Sequence, residues 1–340
     1  MRDIAPSIRQ RLFGEIPRRG WIGLAVLGIG LLLTPWIEPD FVPLMVLIFY
    51  FAYVGQAWNI MMGFAGQLSL GHSLYVGLGA YAAAIFYIKT GIGPWAGLFL
   101  AIALATAVGG LIGYLGFRFA ITGVYFALLT IAFAEFCRIL FDHLQFFGGS
   151  GGLYLKVENR QENDLFNLRG SPTMFYYVML SLVALALALC RWLLSGRLGH
   201  YWLAIREDPE AAQAIGINVF RYKMYAVLLS SGMTALGGVF IAFYYNNLYP
   251  EQTFSMGRSI ELLLGPIIGG IGTLFGPILG SALLVLVGEG MTDVTEAWQL
   301  PGLKQILYGM AVLLIVLFLP GGVWPWIARH LGLVKTGDGK

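Results

Sequence analysis

Six polar residues stand close together in an otherwise apolar stretch: Gln56, Asn59, Gln67, Ser69, His72 and Ser73. Amides, hydroxyls and an imidazole exchange hydrogen bonds without a fixed charge, so the set suits either of two tasks. It can hold helices together, or it can line a path through a bundle. Two acid–base pairs follow, Glu135 with Arg138 and Arg258 with Glu261, each at the three-residue spacing that brings side chains together on a helix face. The first pair reads as an interfacial salt bridge, with a gate or a protein contact as the alternative. Glu261 lies in an apolar run, where an ionisable residue is by default a functional candidate. Bond-making chemistry is not indicated, because no nucleophile, base and acid can be assembled. His72, His143, His200 and His330 are too scattered for a local metal motif, and Cys137 and Cys190 read as buried small hydrophobes.

The second constellation is the charged stretch 204–216, which lies between two long apolar runs. Asp208 is a good N-cap, Pro209 sits where its missing N–H costs nothing, Glu210 puts negative charge in the first turn, and Gly216 supplies a stop. The spacing predicts a helix of about two turns. Isolated helices need about 12 to 15 residues to persist in water, so this one must pack against something. It is either a connector lying on its own protein or at lipid headgroups, or a docking element for a soluble partner.

These residues need a membrane bundle to position them. The chain is 58% hydrophobic and 11% charged, against about 25% charged in soluble domains. Its 340 residues therefore count spans of about 20 apolar residues each. Candidate spans are 21–37, 41–62, 64–88, 94–117, 119–141, 174–194, 221–246, 258–272, 273–291 and 303–319. The expected fold class is all-α, a polytopic transmembrane helical bundle of about ten spans. Eight or nine remain open, because the first run is short and the Pro/Gly-rich stretch at 263–280 can be re-entrant. The first run ends in Thr34-Pro35-Trp36 without a small-residue cleavage site, which predicts an uncleaved span.

Lys and Arg accumulate in short cytoplasmic loops. With the N-terminus inside, Arg2, Arg9, Arg11, Arg18, Arg19, Arg118, Arg191, Arg197, Arg206, Arg221, Lys223, Arg329, Lys335 and Lys340 fall inside, fourteen of the 21 basic residues. This predicts cytoplasmic segments at 1–20 and 321–340, a membrane domain over 21–320, an external loop at 142–173 and a cytoplasmic loop at 195–220. Irregular backbone survives in lipid only where protein or a water-filled cavity satisfies it. The Gly-rich blocks near Gly63 and Gly270 are therefore candidate breaks facing a central path, while Gly272, Gly276 and Gly280, at every fourth position, read as a packing seam.

Glu210-Ala211-Ala212 followed by Gly216 matches the Glu-Ala-Ala, three residues, Gly pattern of the coupling loop in ABC-importer permeases. The wider run 199–218, with the blocks 63–72, 148–153 and 269–277 in order, resembles the LivM-type permeases of branched-chain amino acid transporters from about Asn59 to Pro320. Leu264-Gly265-Pro266 departs from the continuous apolar residues expected there, and the proline should break or kink that span.

The resemblance implies a permease subunit that moves branched-chain, hydrophobic amino acids across a bacterial inner membrane, and that is itself no enzyme. It implies no cofactor on this chain, with ATP and Mg used by two cytoplasmic ATP-binding subunits. No Gly-x-x-x-x-Gly-Lys-Ser/Thr phosphate loop occurs here, in agreement. A second homologous permease subunit, a periplasmic substrate-binding protein and the lipid bilayer complete the expected partners; nucleic acid is not among them. Under this reading Arg206, Glu207, Asp208, Glu210, Ala211, Ala212 and Gly216 couple to the ATPase. Gln56, Asn59, Gln67, Ser69, His72, Ser73 and Glu261 are candidates for the translocation path. A permease for urea or short-chain amides is the alternative within the family. A channel or secondary transporter would have no reason to carry the coupling pattern.

Overall fold

The computed structural model describes residues 18–155, 163–296, 306, 309, 310, 313, 314, 317–319 and 321–330. Apolar runs punctuated by Pro and Gly become helices α1 (Arg18–Ile37), α2 (Val42–Asn59), α3 (His72–Thr90), α4 (Pro94–Arg118), α5 (Val124–His143) and α6 (Pro172–Ser195). Pro94 and Pro172 stand in the first turns of α4 and α6, where their missing N–H is no loss. Two shorter helices, α7 (Arg197–Glu207) and α8 (Pro209–Ala214), lead into α9 (Val219–Tyr245). The described chain continues through α10 (Pro250–Thr253), α11 (Met256–Gly269), α12 (Gly276–Glu296) and α13 (Val323–His330). Strands β1 (Leu153–Tyr154) and β2 (Asn247–Leu248) form a small antiparallel pair with Leu153 opposite Leu248.

Five described segments are long and apolar enough to cross a membrane: Pro39–Phe64, α4, α5, α6 and α9. Helices α2 and α9 are buried along most of their length, with Tyr50, Trp58 and Phe240 in the core. By contrast α4, α5 and α6 bury one face and expose Leu111, Phe136 and Leu185 on the other. Apolar side chains spread around the outside suit lipid as the surrounding solvent, and the chain is an all-α polytopic membrane protein.

Two of the expected spans differ in form. The stretch 64–88 is not one helix, because the chain stays irregular from Gln67 and α3 starts only at His72. Pro266 does not break its span: α11 runs through it and ends three residues later at Gly269. The ring lies in the last turn, where one lost hydrogen bond costs least, and it packs against Gly55, where a Cβ would come within 2.9 Å of the ring. The candidate span 303–319 falls largely outside the described residues, as do most of segment 1–20 and residues 331–340.

Helices α11 and α12 form a close hairpin, since a Cβ on Gly280 would strike the Gly265 carbonyl and one on Gly269 the Gly276 backbone. Gly276 and Gly280 thus lie in the expected seam. Gly272 does not, because it takes φ +77 in the turn between the helices.

Contacts sort the connections into two ends. At one end, Gly93 packs against Phe166, Trp95 donates to the Leu165 carbonyl (3.0 Å), and β1 pairs with β2. At the other end lie the end of α2, the α7–α8 segment and the α11–α12 turn, joined by the contacts described next, with the start of α13 against that turn, where a Cβ on Gly270 would come within 3.0 Å of the Pro325 ring.

Candidate functional site

The expected coupling segment folds as two helices that share one residue. Asp208 ends α7 and caps α8: its Oδ1 accepts from the N–H groups of Glu210 (2.9 Å) and Ala211 (3.1 Å). This satisfies donors that a helix start otherwise leaves free. At the far end Gly216 takes φ +90, and the Ile217 N–H reaches back to the Ala212 carbonyl at 3.1 Å. A small core of Ile205, Ala212 and Ile217 holds the short helix. Glu207, Glu210, Ala211 and Ile215 remain exposed.

Helix α7 anchors this element to the bundle. Trp202 is fully buried, and its indole N–H donates to the Tyr222 carbonyl of α9 (2.8 Å). It shares an apolar cluster with Ile60 and Phe64, from the π-helical turn Ile60–Phe64 that closes α2, and with Leu274 of the α11–α12 turn. Four residues beyond Trp202, the Arg206 guanidinium donates to the Gly63 carbonyl. A Cβ on Gly66 would come within 3.2 Å of Arg206, and one on Gly272 would strike its guanidinium. Glycine is required at both positions by close approach and by φ values of +70 and +77.

The two breaks named from the sequence meet beneath Arg206. The fully buried Asn59 amide donates to the Thr273 carbonyl (2.9 Å) and accepts from the Gly272 N–H (2.8 Å). Thr273 in turn accepts from the Gly276 N–H (3.1 Å) at the start of α12. One amide therefore ties the end of α2 to the turn of the α11–α12 hairpin.

The remaining polar residues of the first block lie deeper. His72 bridges the Ser69 hydroxyl (3.1 Å) and the Ser230 hydroxyl (2.9 Å), which belongs to the middle of α9. The Ser73 hydroxyl donates to the Phe254 carbonyl (2.9 Å), and its N–H donates to the Ser259 hydroxyl (3.0 Å), which donates back to the Ser73 hydroxyl (2.8 Å). The starts of α3 and α11 are thereby joined, bringing two helix N-termini with their partial positive charge to one level of the bundle. Gln67 bonds locally to the Ala65 carbonyl (2.9 Å). Gln56 is buried, with only the weakly polar Cys190 thiol beside its amide among the described residues.

Glu261 stands apart from this set. It pairs with Arg258 at 2.9 Å and is half-exposed on α11, while the Arg258 guanidinium lies over the rings of Tyr50 and Phe51. Glu135 and Arg138 also meet, at 2.6 Å. Sequence reasoning missed α7 as a helix and the inward reach of Arg206. The four-residue spacing of Trp202 and Arg206 was the available signal, since it places both on one helix face.

Residues 41–319 match the family described as the permease component of branched-chain amino acid transport systems. The chain is 29% identical over 308 residues to the high-affinity branched-chain amino acid transport system permease protein LivM of Salmonella typhimurium, spanning 84% of this chain and 70% of that protein. The LivM protein of Escherichia coli K12 gives the same identity and coverage. The nucleoside ABC transporter permease protein NupC of Lactococcus lactis is 27% identical over 153 residues, 42% of this chain and 47% of that protein. No solved structure matches. The family match takes in both helix breaks and the α7–α8 segment between them, and the chain belongs to the family of permease components of branched-chain amino acid transport systems.

Proposed function

We propose that this chain is one of two membrane subunits of an ABC importer for branched-chain amino acids, and that α8 receives the motion of a partner ATPase. The observation that carries the reading is Arg206. One side chain on the docking segment reaches the break after α2 and abuts the break between α11 and α12. A displacement of α8 is passed to both without any bond being made or broken within the substrate. ATP and Mg belong to the partner subunits, whose closure would press on the exposed Glu207, Glu210, Ala211 and Ile215. The rigid α7–α8 pair would then bias the bundle between inward-open and outward-open states.

The bias of basic residues supports a cytoplasmic α7–α8 loop and cytoplasmic termini in a bacterial inner membrane, with 142–173 on the periplasmic side, where a binding protein delivers substrate. The exposed carboxylate of Glu261, beside Met256 and Ile260 on an apolar helix, would be costly against lipid. A second homologous permease subunit covering that face resolves the cost. The path would run between the two subunits along α11, with Gln56, Gln67, Ser69, His72 and Ser73 behind it and Asn59 at its inner end. An amino acid zwitterion has no net charge, so it needs no buried ion pair on the way.

Deleting the genes of the partner ATPases should abolish uptake of labelled leucine, isoleucine and valine; uptake that survives removes the importer reading. Calorimetry on the cognate binding protein should return one of these three amino acids. Urea or a short amide in that pocket would overturn the substrate assignment.

A further inference from the structure

A pocket of about 540 Å³ opens where α4 ends beside the α8–α9 turn. Phe117, Ile121 and Phe220 supply apolar walls, and Thr122, Asn218 and Lys223 supply polar groups. No acidic residue is among the described residues that line it. Lys223 as a residue is only 7% exposed, yet its ammonium meets no carboxylate among the described residues and lies over the Phe117 ring at 5.8 Å. The stem of Lys223 is thus packed while its ammonium lines the pocket without a carboxylate partner among the described residues, so an anion entering the pocket would gain a charge partner.

The surroundings indicate which anion. Arg118 at the end of α4 and Arg221 in the first turn of α9 are both exposed and add positive charge beside the lining residues Phe117 and Phe220, while the nearest acidic groups in sequence, Asp208 and Glu210, lie at the other end of α8 and outside the lining. The neighbouring outer surface is apolar and aromatic: Tyr114, 50% exposed, meets the Phe220 ring, and Phe119 is 69% exposed. A cation in the pocket lining and an apolar wall on two spans fit a ligand with an anionic head and a hydrocarbon body.

We propose that this pocket binds the phosphate of an anionic phospholipid, with Lys223 pairing the headgroup and the acyl chains lying along Tyr114 and Phe220. The inference rests on placing this end of the bundle in the cytoplasmic leaflet. Gln213 and Gly216 also line the pocket, so a bound lipid braces the turn that follows α8. Lipid composition would then set how firmly the coupling element is held.

The test uses the assembled transporter in nanodiscs of phosphatidylcholine with phosphatidylglycerol, read by native mass spectrometry during stepwise delipidation. Wild type should keep phosphatidylglycerol after phosphatidylcholine is stripped. Lys223→Met should lower its occupancy about fivefold, and Lys223→Arg should restore most of it. Phe220→Trp, which fills the pocket from a partly exposed position, should lower occupancy with the lysine intact. Unchanged retention in Lys223→Met and Phe220→Trp overturns the proposal. Stabilisation by millimolar inorganic phosphate equal to that by phosphatidylglycerol, lost in Lys223→Met, would assign the site to a soluble phosphate and overturn the lipid. Loss of the ATPase subunits from Lys223→Met with lipid retention unchanged would assign it to a protein contact instead. Labelling of Ile215→Cys from outside the cell would sink the cytoplasmic placement, whatever the lipid result.

Discussion

The guanidinium of Arg206 donates to the carbonyl of Gly63 across 143 residues of sequence. Gly63 belongs to the π-helical turn that closes α2, and Gly272, in the turn between α11 and α12, abuts the same guanidinium. Gly66 and Gly272 leave room for the Arg206 side chain, since a Cβ on either would crowd it. A charged side chain on a surface segment thus bears directly on two breaks in the membrane helices, which is the geometry a lever requires.

Arg206→Lys tests whether the contact transmits motion. Lysine keeps the charge but loses the planar fork, and a charge-assisted hydrogen bond contributes about 1.5–3 kcal/mol. Transport by reconstituted importer should fall about tenfold while the ATPase subunits still bind, and Arg206→Ala should fall further. Equal transport in wild type and both variants would reduce the contact to packing.

Asn59 makes the second tie. Asn59→Leu strands the buried Gly272 N–H, at about 1–3 kcal/mol, and leaves the part-buried Thr273 carbonyl without its amide donor. Asn59→Asp keeps the acceptor, loses the donor and adds a buried charge. Both variants should melt below wild type in detergent.

The α11–α12 seam can be tested with two alanines on one helix. Gly280→Ala drives a methyl into the Gly265 carbonyl and should cost about 1–3 kcal/mol. Gly290→Ala meets nothing within 4 Å and should leave the melting temperature unchanged or raise it slightly.

Much of this arrangement was legible in the sequence, for reasons that differ by level. Five of the spans followed from apolar runs, and the cap at Asp208 from local hydrogen-bond chemistry that needs no tertiary partner. The Gly-rich blocks could be recognised as breaks because lipid cannot satisfy irregular backbone. Which groups satisfy them was not legible, since Asn59 finds Thr273 more than 200 positions away and His72 finds Ser230 at a distance of 158 positions. Pro266 does not break its helix, because the penalty for proline depends on its place in the helix and on the space that Gly55 provides.

Asp164 supplies a pH test in the loop before α6. Its carboxylate accepts from the Asn167 side-chain amide (2.6 Å) and from the N–H groups of Asn167 (3.2 Å) and Phe166 (2.9 Å), which hold its pKa below the usual carboxylate range. The folded turn favours the ionised form, so its contribution is complete above the unfolded value of about 4 and is lost as pH falls through the lower folded value. Hydrogen exchange at Phe166 and Asn167, corrected for intrinsic rate, should lose protection in that acid window, and Asp164→Asn should remove the dependence. Protection that stays constant through the window would mean that the carboxylate does not order the turn.

Glu210 and Gly216 separate folding from transmission most cleanly. Glu210 is exposed, and a Cβ on Gly216 meets nothing within 4 Å, so neither residue supports the bundle by packing. Replacing Gly216 by valine forces a branched residue to φ +90, a strain of about 1–3 kcal/mol confined to the end of α8. Glu210→Lys reverses the charge in the first turn of α8, against the helix dipole and against whatever the ATPase presents. Both variants should keep the wild-type melting temperature of the membrane subunit within a few degrees and still hydrolyse ATP in the assembled complex. Substrate uptake per ATP consumed should fall at least about fivefold, a coupling change on the scale of allosteric coupling energies. If uptake per ATP is unchanged in both variants, force reaches the helix breaks by another route, and α8 is a connector that happens to be well capped.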